Sequence, residues 1–380
     1  MKTVGIIVEY NPLHNGHLHH IEETRRLSSC DTLIAVMSSS FTQRGEPAVI
    51  DKFTRTKMAL ENGVDLVVEL PFVFAVQNAD IFAETAVRTL DLLGVDEIWF
   101  GSEHGDIAAL QAIGDVLESD AYNNLVRRYL KDGNSYPTAA DKAMRDLHPN
   151  DIFDQPNNIL GIQYLLAGRH VNPGITFHTI PRHKSGYYDD IADGEAIQSA
   201  TAIRRMMVDG EDISPYVPAS VAKRLFGRRA VTYEDFHDPL QAILGRATAE
   251  ELYQIFHVTE GLEHRILNIP SFHSVQHLID QILTRRYTNS KVRRTLAFIL
   301  ANVKESDLSD FEVSYLRVLG MNDTGRAHLG TIKKDLAVPL VTNVKEGIHP
   351  YLDIELRVSK LYSIASDIDV FQAEFKRLIF

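Results

Sequence analysis

The chain has 380 residues, 44% hydrophobic and 24% charged, with a net charge of −12 and one cysteine, Cys30. That length supports two domains with a sizeable core, and a lone cysteine excludes an internal disulfide and any multi-cysteine metal site. No apolar run reaches the roughly 18–20 residues of a membrane helix. The N-terminus "MKTVGIIVEY" lacks the apolar core and cleavage site of a signal peptide, so a cytoplasmic protein with no membrane partner is expected.

In chain order, short apolar runs alternate with amphipathic segments through the first 210 residues. Strands are predicted at "VGIIVEY" (4–10), "TLIAVMS" (32–38), "VDLVVEL" (64–70), "EIWFGS" (97–102) and "ITFHTI" (175–180). Helices are predicted near 16–28, 52–62, 78–93, 106–118 and 157–169, with Gly63 as a helix C-cap and Pro71 ending the third strand. This is the pattern of a Rossmann-like parallel sheet covered by helices. Strand pattern is expected to stop near residue 181. Beyond about 214 the chain reads as mostly helical, for example "HSVQHLIDQILTRR" (273–286) and "VRRTLAFILANV" (292–303). The expectation is an α/β nucleotide-binding domain over 1–210 and a helical domain over 211–380.

Charge divides along the same line. Residues 1–210 carry 18 Lys and Arg against 29 Asp and Glu, whereas residues 211–380 carry 21 against 22. Within the second part, "RRYTNSKVRR" (285–294) holds five basic residues and no acid, and "KRLFGRR" (223–229) holds four more. Such a run is commonly a solvated face. It also suits phosphate contacts, and a neutral average can hide a basic face.

The stretch "EYNPLHNGHLHH" (9–20) directly follows the first strand and holds four histidines and one glycine. Three readings compete. A zinc site would use His14 and His17, or His17 and His20, one turn apart, but nothing supplies a third ligand. A polar helix start would explain one or two histidines. A phosphate cradle explains the whole order: a strand, a tight turn and a helix start aim N–H groups at an anion, and Gly16 permits close approach. On that reading the histidines donate to phosphate oxygens and carry charge near neutral pH.

His14-Asn15-Gly16-His17 resembles the HxGH motif of the nucleotidylyltransferase superfamily. That superfamily's second signature, Ser-Ser-Thr-x-x-Arg-like, is similar to "IQSATAIRR", with Ser199, Thr201 and Arg204 in place and Ala200 where a second serine is usual. Standing alone, that segment would be an ordinary capped helix. The fold class this implies is an α/β Rossmann-like parallel sheet of the HxGH nucleotidylyltransferase type, followed by a mostly α-helical C-terminal domain.

Longer strings narrow the resemblance: "VEYNPLHNGH" (8–17), "SSFTQRGEPAVIDKFTRTKMAL" (39–60), "GVDLVVELP" (63–71), "FGSE" (100–103), "QPNNILGIQY" (155–164), "EGLEHRI" (260–266), "TRRYTNSKVRR" (284–294) and "YLRVLG" (315–320). Together they resemble the bacterial tRNA(Met) cytidine acetate ligase family over nearly the whole chain. The resemblance implies an enzyme that uses ATP, with Mg²⁺ expected alongside it, to convert acetate to acetyl-adenylate. The acetyl group then goes to N4 of the wobble cytidine of elongator tRNA(Met).

The resemblance also implies site residues. The main ATP-binding stretch is Ile7, Val8, Glu9, Tyr10, Asn11, Pro12, Leu13, His14, Asn15, Gly16, His17, Leu18, His19 and His20, with catalysis by His14, His17 and Arg204. Gly101, Asn157, Arg182, Ser199 and Thr201 are further ATP contacts. Each has a plainer reading: Gly101 as a turn glycine, Asn157 as a helix N-cap after Pro156, Arg182 as a solvated arginine. Arg285, Arg286, Lys291, Arg293 and Arg294 would contact tRNA phosphates and Tyr287 would stack, with Tyr315 and Arg317 extending that face. Gln43, Arg44 and Gly45, then Lys52, Arg55 and Lys57, form either a solvated face or a site that orients acetate or RNA. The alternative functions are a nucleotidylyltransferase acting on a small phosphorylated metabolite, and a catalytically idle nucleotide- or RNA-binding module.

Overall fold

The computed structural model describes residues 1–134, 136–148, 152–182, 197–308 and 311–376. Strands form where the aliphatic runs are densest: β1 (Thr3–Val8), β2 (Thr32–Ser38), β3 (Leu66–Leu70), β4 (Glu97–Ser102) and β5 (Thr176–Pro181). Each lies within two residues of its predicted position at either end. Within β2, Leu33, Ala35 and Met37 enter one apolar cluster while Ile34 and Val36 enter the other. Both faces are therefore covered, as a parallel sheet requires. One face is covered by the helices Asn15–Ser28, Lys52–Glu61 and Ala219–Leu225, which contribute Ile21, Met58 and Val221. The other takes Ala79–Leu92 and Pro156–Val171, with the core continuing into the C-terminal helices Asn289–Ala301 and Pro350–Ala365.

With two further strands, β6 (Leu316–Met321) and β7 (Leu340–Val341), the sheet among the described residues has seven strands in the order β5-β4-β1-β2-β3-β6-β7. β6 and β7 were not expected. β6 runs antiparallel to β3, pairing Leu66 with Met321 and Val68 with Val318. "LRVLGM" escapes a pattern search because it is buried at every position and shows no alternation. Residues after 210 are mostly helical, as expected, yet they also extend the sheet of the first half. Also unexpected are the helices Phe72–Ala75, Asp120–Lys131 and Tyr136–Leu147. No helix among the described residues is long and apolar enough to cross a membrane.

A buried ionic cluster ties the two halves together. Lys52 is fully buried and pairs with Glu69, with Glu374 at 2.6 Å and with Glu355 at 3.5 Å. Arg317, on β6, pairs with Glu374 at 2.8 Å. Burial alone would lower the Lys52 pKa, but Glu374, Glu69 and Glu355 outweigh it and hold the ammonium charged. Burial and then Glu69 push Glu355 up to about 8. Arg55 is likewise buried, donating to the main-chain carbonyls of Glu9 (2.7 Å), Ser38 (3.0 Å), Ser39 and Ile50 (3.2 Å). These placements correct the sequence expectation. Lys52 and Arg55 are unavailable to acetate or RNA, Lys57 alone of that trio is exposed, and Tyr315 and Arg317 are core residues.

The loop after β2 is pinned to the second half as well. Gly45 adopts φ +83°, and a Cβ there would sit 2.5 Å from the Arg294 nitrogen. Only glycine allows both the conformation and that approach.

Candidate functional site

β1 is the switch point of the sheet: β2 and β3 lie to one side of it, β4 and β5 to the other. Open α/β sheets bind ligands outside the carboxyl ends of their strands at such a point. A cavity of about 750 Å³ opens there, walled by the ends of β1, β4 and β5 and by the start of the Ala200–Asp209 helix.

The turn after β1 is shaped by its histidines. His14 is the N-cap of the Asn15–Ser28 helix, and its Nδ1 accepts the Gly16 N–H at 3.1 Å. His17, at the third helical position, places its Nδ1 3.4 Å from the His14 N–H. The two therefore make a capping box of imidazoles in place of the usual serine and glutamate. Their rings stack at 3.8 Å, and Tyr10 packs its ring edge-on against His17 at 5.2 Å. Gly16 keeps this turn close, since a Cβ there would crowd the His14 ring at 3.0 Å. Its amide is spent on His14 rather than aimed at a ligand, which refines the phosphate-cradle expectation.

The expected charge on these histidines is overturned. Burial, then Arg182 and Arg204, push His14 down to about 3. Burial, with His14 and Arg182 next, holds His17 well below its ordinary value, and His20 is pushed down to about 4 by burial and Arg182. These rings are neutral at pH 7. With Nδ1 of His14 accepting a hydrogen bond, the ring proton sits on Nε2, so the motif supplies neutral N–H donors.

Positive charge comes from arginines. Arg204 donates to the Asn11 carbonyl and to Thr201 Oγ1, each at 3.1 Å, and lies 3.5 Å from Glu46. Ser199 caps the same helix by accepting the Ala202 N–H at 3.2 Å. Arg182 donates to Asn157 Oδ1 at 3.3 Å. Gly101 makes room for it, since a Cβ there would lie 3.2 Å from the Arg182 side chain. Asn157 is not the N-cap of its helix; Gln155 is. The helix start is instead closed by Glu103, which accepts the N–H groups of Asn157 (3.2 Å) and Asn158 (2.9 Å) and the Asn157 side-chain amide (2.6 Å).

Of the stretch 7–20, ten residues reach the cavity: Ile7, Val8, Glu9, Tyr10, Asn11, His14, Gly16, His17, His19 and His20. Pro12, Leu13, Asn15 and Leu18 do not; Leu13 is core and the Asn15 amide donates to the Pro215 carbonyl at 3.0 Å. Gly101, Asn157, Arg182, Ser199, Thr201 and Arg204 all line the cavity, from segments about 100 residues apart at the extremes. Sequence reasoning missed Glu46 and Glu103 and the aromatic wall of Phe82, Phe100 and Tyr164. No spacing rule links these to the motif, because chain folding alone brings them there. Among the described residues no group of three or more His, Cys, Asp or Glu is placed to hold a metal ion.

The basic run 285–294 divides. Arg285 and Arg286 are exposed; Arg286 pairs with Glu260 at 2.7 Å, and Lys291 reaches the same carboxylate at 3.5 Å. Tyr287 is buried, with its hydroxyl donating to the Glu260 carbonyl at 2.7 Å and Lys291 over its ring at 5.3 Å. This corrects the expectation of a stacking ring, since its faces are already covered. Arg294 is buried and donates to Asn78 at 2.6 Å, while Arg293 pairs with Glu46 and with Gln276 at 3.2 Å. Arg293, Glu46 and Arg204 thus form a chain of charges from the helical half to the cavity.

Comparison with known proteins gives a consistent result. The family model described as HIGH Nucleotidyl Transferase matches residues 1–377. The tRNA(Met) cytidine acetate ligase of Bacillus subtilis (strain 168) is 41% identical, covering 96% of this chain and 92% of its own. That of Listeria monocytogenes serotype 4a is 42% identical, covering 98% and 97%. The crystal structure of Thermotoga maritima TmcAL bound with alpha-thio ATP superposes with a TM-score of 0.89 at 32% identity, covering 100% of this chain and 99% of that one.

Proposed function

The chain belongs to the HIGH nucleotidyl transferase family and, within it, to the tRNA(Met) cytidine acetate ligases; on that premise we propose how its cavity carries out an ATP-dependent acetylation. ATP lies across the cavity at the β1 switch point, with its phosphates against the HxGH turn and Arg204. The observation that carries this is the convergence there of two arginines, Arg182 and Arg204, whose hydrogen-bond acceptors are mainly neutral oxygens, together with the likeness to a structure holding alpha-thio ATP.

In the first half-reaction an acetate oxygen attacks the α-phosphorus and the bond to pyrophosphate breaks. Acetate is ionised at pH 7, so no base is needed. Arg204 and the neutral Nε2–H groups of His14 and His17 stabilise the charge developing on the phosphate oxygens, and the turn aligns the reacting atoms. Arg182, held by Asn157, orients the nucleotide from the β5 side. Mg²⁺ would accompany ATP. Its chemistry there is neutralisation of phosphate charge.

In the second half-reaction the wobble cytidine N4 of elongator tRNA(Met) attacks the acetyl carbon and AMP leaves. Residues 211–380 form the tRNA-binding part, with Arg285, Arg286 and Lys291 as its phosphate contacts. Arg293 and Arg294 bind RNA only if they exchange their present partners. A cytoplasmic place of work follows from the substrate. The test is nucleoside mass spectrometry of bacterial tRNA incubated with the protein, ATP, Mg²⁺ and labelled acetate. Label is expected in N4-acetylcytidine, and it disappears without ATP. Absence of label, with ATP cleaved to pyrophosphate only when a small phosphorylated metabolite is added, would overturn the proposal in favour of a metabolite nucleotidylyltransferase.

A further inference from the structure

Transfer of the acetyl group raises a problem that the phosphate machinery leaves unsolved. The exocyclic nitrogen of cytosine is a poor nucleophile, because its lone pair is delocalised into the ring, and it must shed a proton to become an amide. Positioned bases accelerate such steps by roughly 10²–10⁴-fold. Among the described residues the cavity is lined by three carboxylates, Glu9, Glu46 and Glu103. Glu103 spends both oxygens on the Pro156–Val171 helix start, and Glu46 spends its two on Arg293 and Arg204. His14 and His17 are neutral and hold their Nδ1 atoms against main-chain N–H groups, and His20, whose buried Nε2 has no partner among the described residues, is pushed down to about 4 by burial and Arg182, which makes it a weak base.

Glu9 differs. It stands directly after β1, half-buried, and its Oε1 accepts the Gln43 N–H at 2.6 Å, while Oε2 has no partner among the described residues. We propose that Glu9 is the general base of acetyl transfer, reading the cytidine N4 amine with Oε2 and taking its proton. This rests on the tRNA acetylation proposed above. The N4 lone pair forms the C–N bond, the acyl C–O bond to phosphate breaks, and that electron pair leaves on AMP. One N4 proton passes to Glu9 and goes to water or the AMP phosphate as products depart. A carboxylate is also the natural acceptor for the cytosine N4 donor.

The surroundings tune this base. Burial raises the Glu9 pKa above the ordinary carboxylate range, opposed by the Gln43 N–H and by Arg55, Arg204 and Arg44. Tyr164, facing it from the Pro156–Val171 helix, stays protonated, mainly through burial and then through Glu9 itself. The result is a stronger base than a solvated glutamate, with no cation bonded to it that would lock its charge.

The experiment separates the half-reactions in the Glu9→Gln variant, which preserves shape and can still accept the Gln43 N–H. Acetate-dependent ATP–pyrophosphate exchange reports adenylation, and single-turnover delivery of acetyl from preformed acetyl-adenylate to tRNA reports transfer. Transfer is expected to fall about 100-fold more than exchange. The rise of wild-type transfer with pH, as Glu9 loses its proton, should vanish in the variant, and Glu9→Asp should recover part of the rate. Equal losses in both half-reactions, or an unaltered pH profile, would overturn the assignment while leaving tRNA acetylation standing. A wild-type protein that acetylates no tRNA would overturn both.

Discussion

One sheet holds two groups of charge and treats them in opposite ways. Around the cavity, Arg182 and Arg204 lean mostly on neutral acceptors: an asparagine Oδ1, a main-chain carbonyl and a threonine hydroxyl. In the interior, Lys52 and Arg317 are enclosed with three carboxylates, Glu69, Glu355 and Glu374. Cations whose counter-charge is built into the protein have a structural role. Arg182 and Arg204, bonded to neutral oxygens with Glu46 3.5 Å from Arg204, keep capacity at the rim of the cavity for an anion from outside. In sequence both kinds appear as basic residues in polar-looking strings.

The difference can be tested by removing one member of each group. The largest effect is expected for Lys52→Met, which takes the ammonium from Glu69 and Glu355 and leaves Glu374 with Arg317 alone. Removing one partner of a buried pair typically costs about 3–5 kcal/mol. Urea unfolding should show that loss, and a change under about 1 kcal/mol would mean that the cluster does not fasten the two halves. Arg204→Ala should do the reverse, lowering acetate-dependent ATP–pyrophosphate exchange about 100-fold with little change in the unfolding midpoint. If it unfolds the protein instead, the contrast between the two groups collapses.

The third test uses pH. The folded-state pKa of His14 is depressed to about 3 from an unfolded value of about 6.5. Between these values the unfolded chain binds more protons, so stability is present above the upper one and is lost as pH falls toward the lower one. His14 should contribute a slope approaching about 1.4 kcal/mol per pH unit in that window, and His20, held at about 4, adds to it. His14→Asn keeps an N-cap acceptor, so urea unfolding at stepped pH should give a shallower acid slope. An unchanged slope would show that the imidazole is not a buried neutral cap. The smallest effect on stability is expected for Arg286→Ala on the exposed face, which should leave the unfolding midpoint unchanged. In tRNA binding it should reduce the salt slope by about one, and unaltered salt dependence would remove Arg286 from the RNA face.

Much of the site is legible in the sequence because its parts are local. The strand, the Pro12-to-His17 turn and the helix start are contiguous, and the chemistry of an N-cap with a glycine behind it depends on neighbours in the chain. Ser199, Thr201 and Arg204 are legible for the same reason, one helical turn seen whole. Charge state is not legible. His14 and His17 are solvated in any peptide, and only burial beside Arg182 and Arg204 makes them neutral donors. The basic run misleads in the same way: five cations in ten residues look alike until Tyr287 and Arg294 are found covered.

The sequence by itself thus determined the five parallel strands, five of the helices between them and the tight turn after the first strand, because hydrophobic period and capping act over a few residues. Tertiary structure alone decided that Leu316–Met321 joins the sheet beside β3, that Lys52 and Arg55 are interior, and that Glu9 keeps an oxygen without a partner among the described residues at the cavity. Those outcomes depend on desolvation and on partners tens to hundreds of residues away, and neither quantity is carried by a local window of sequence.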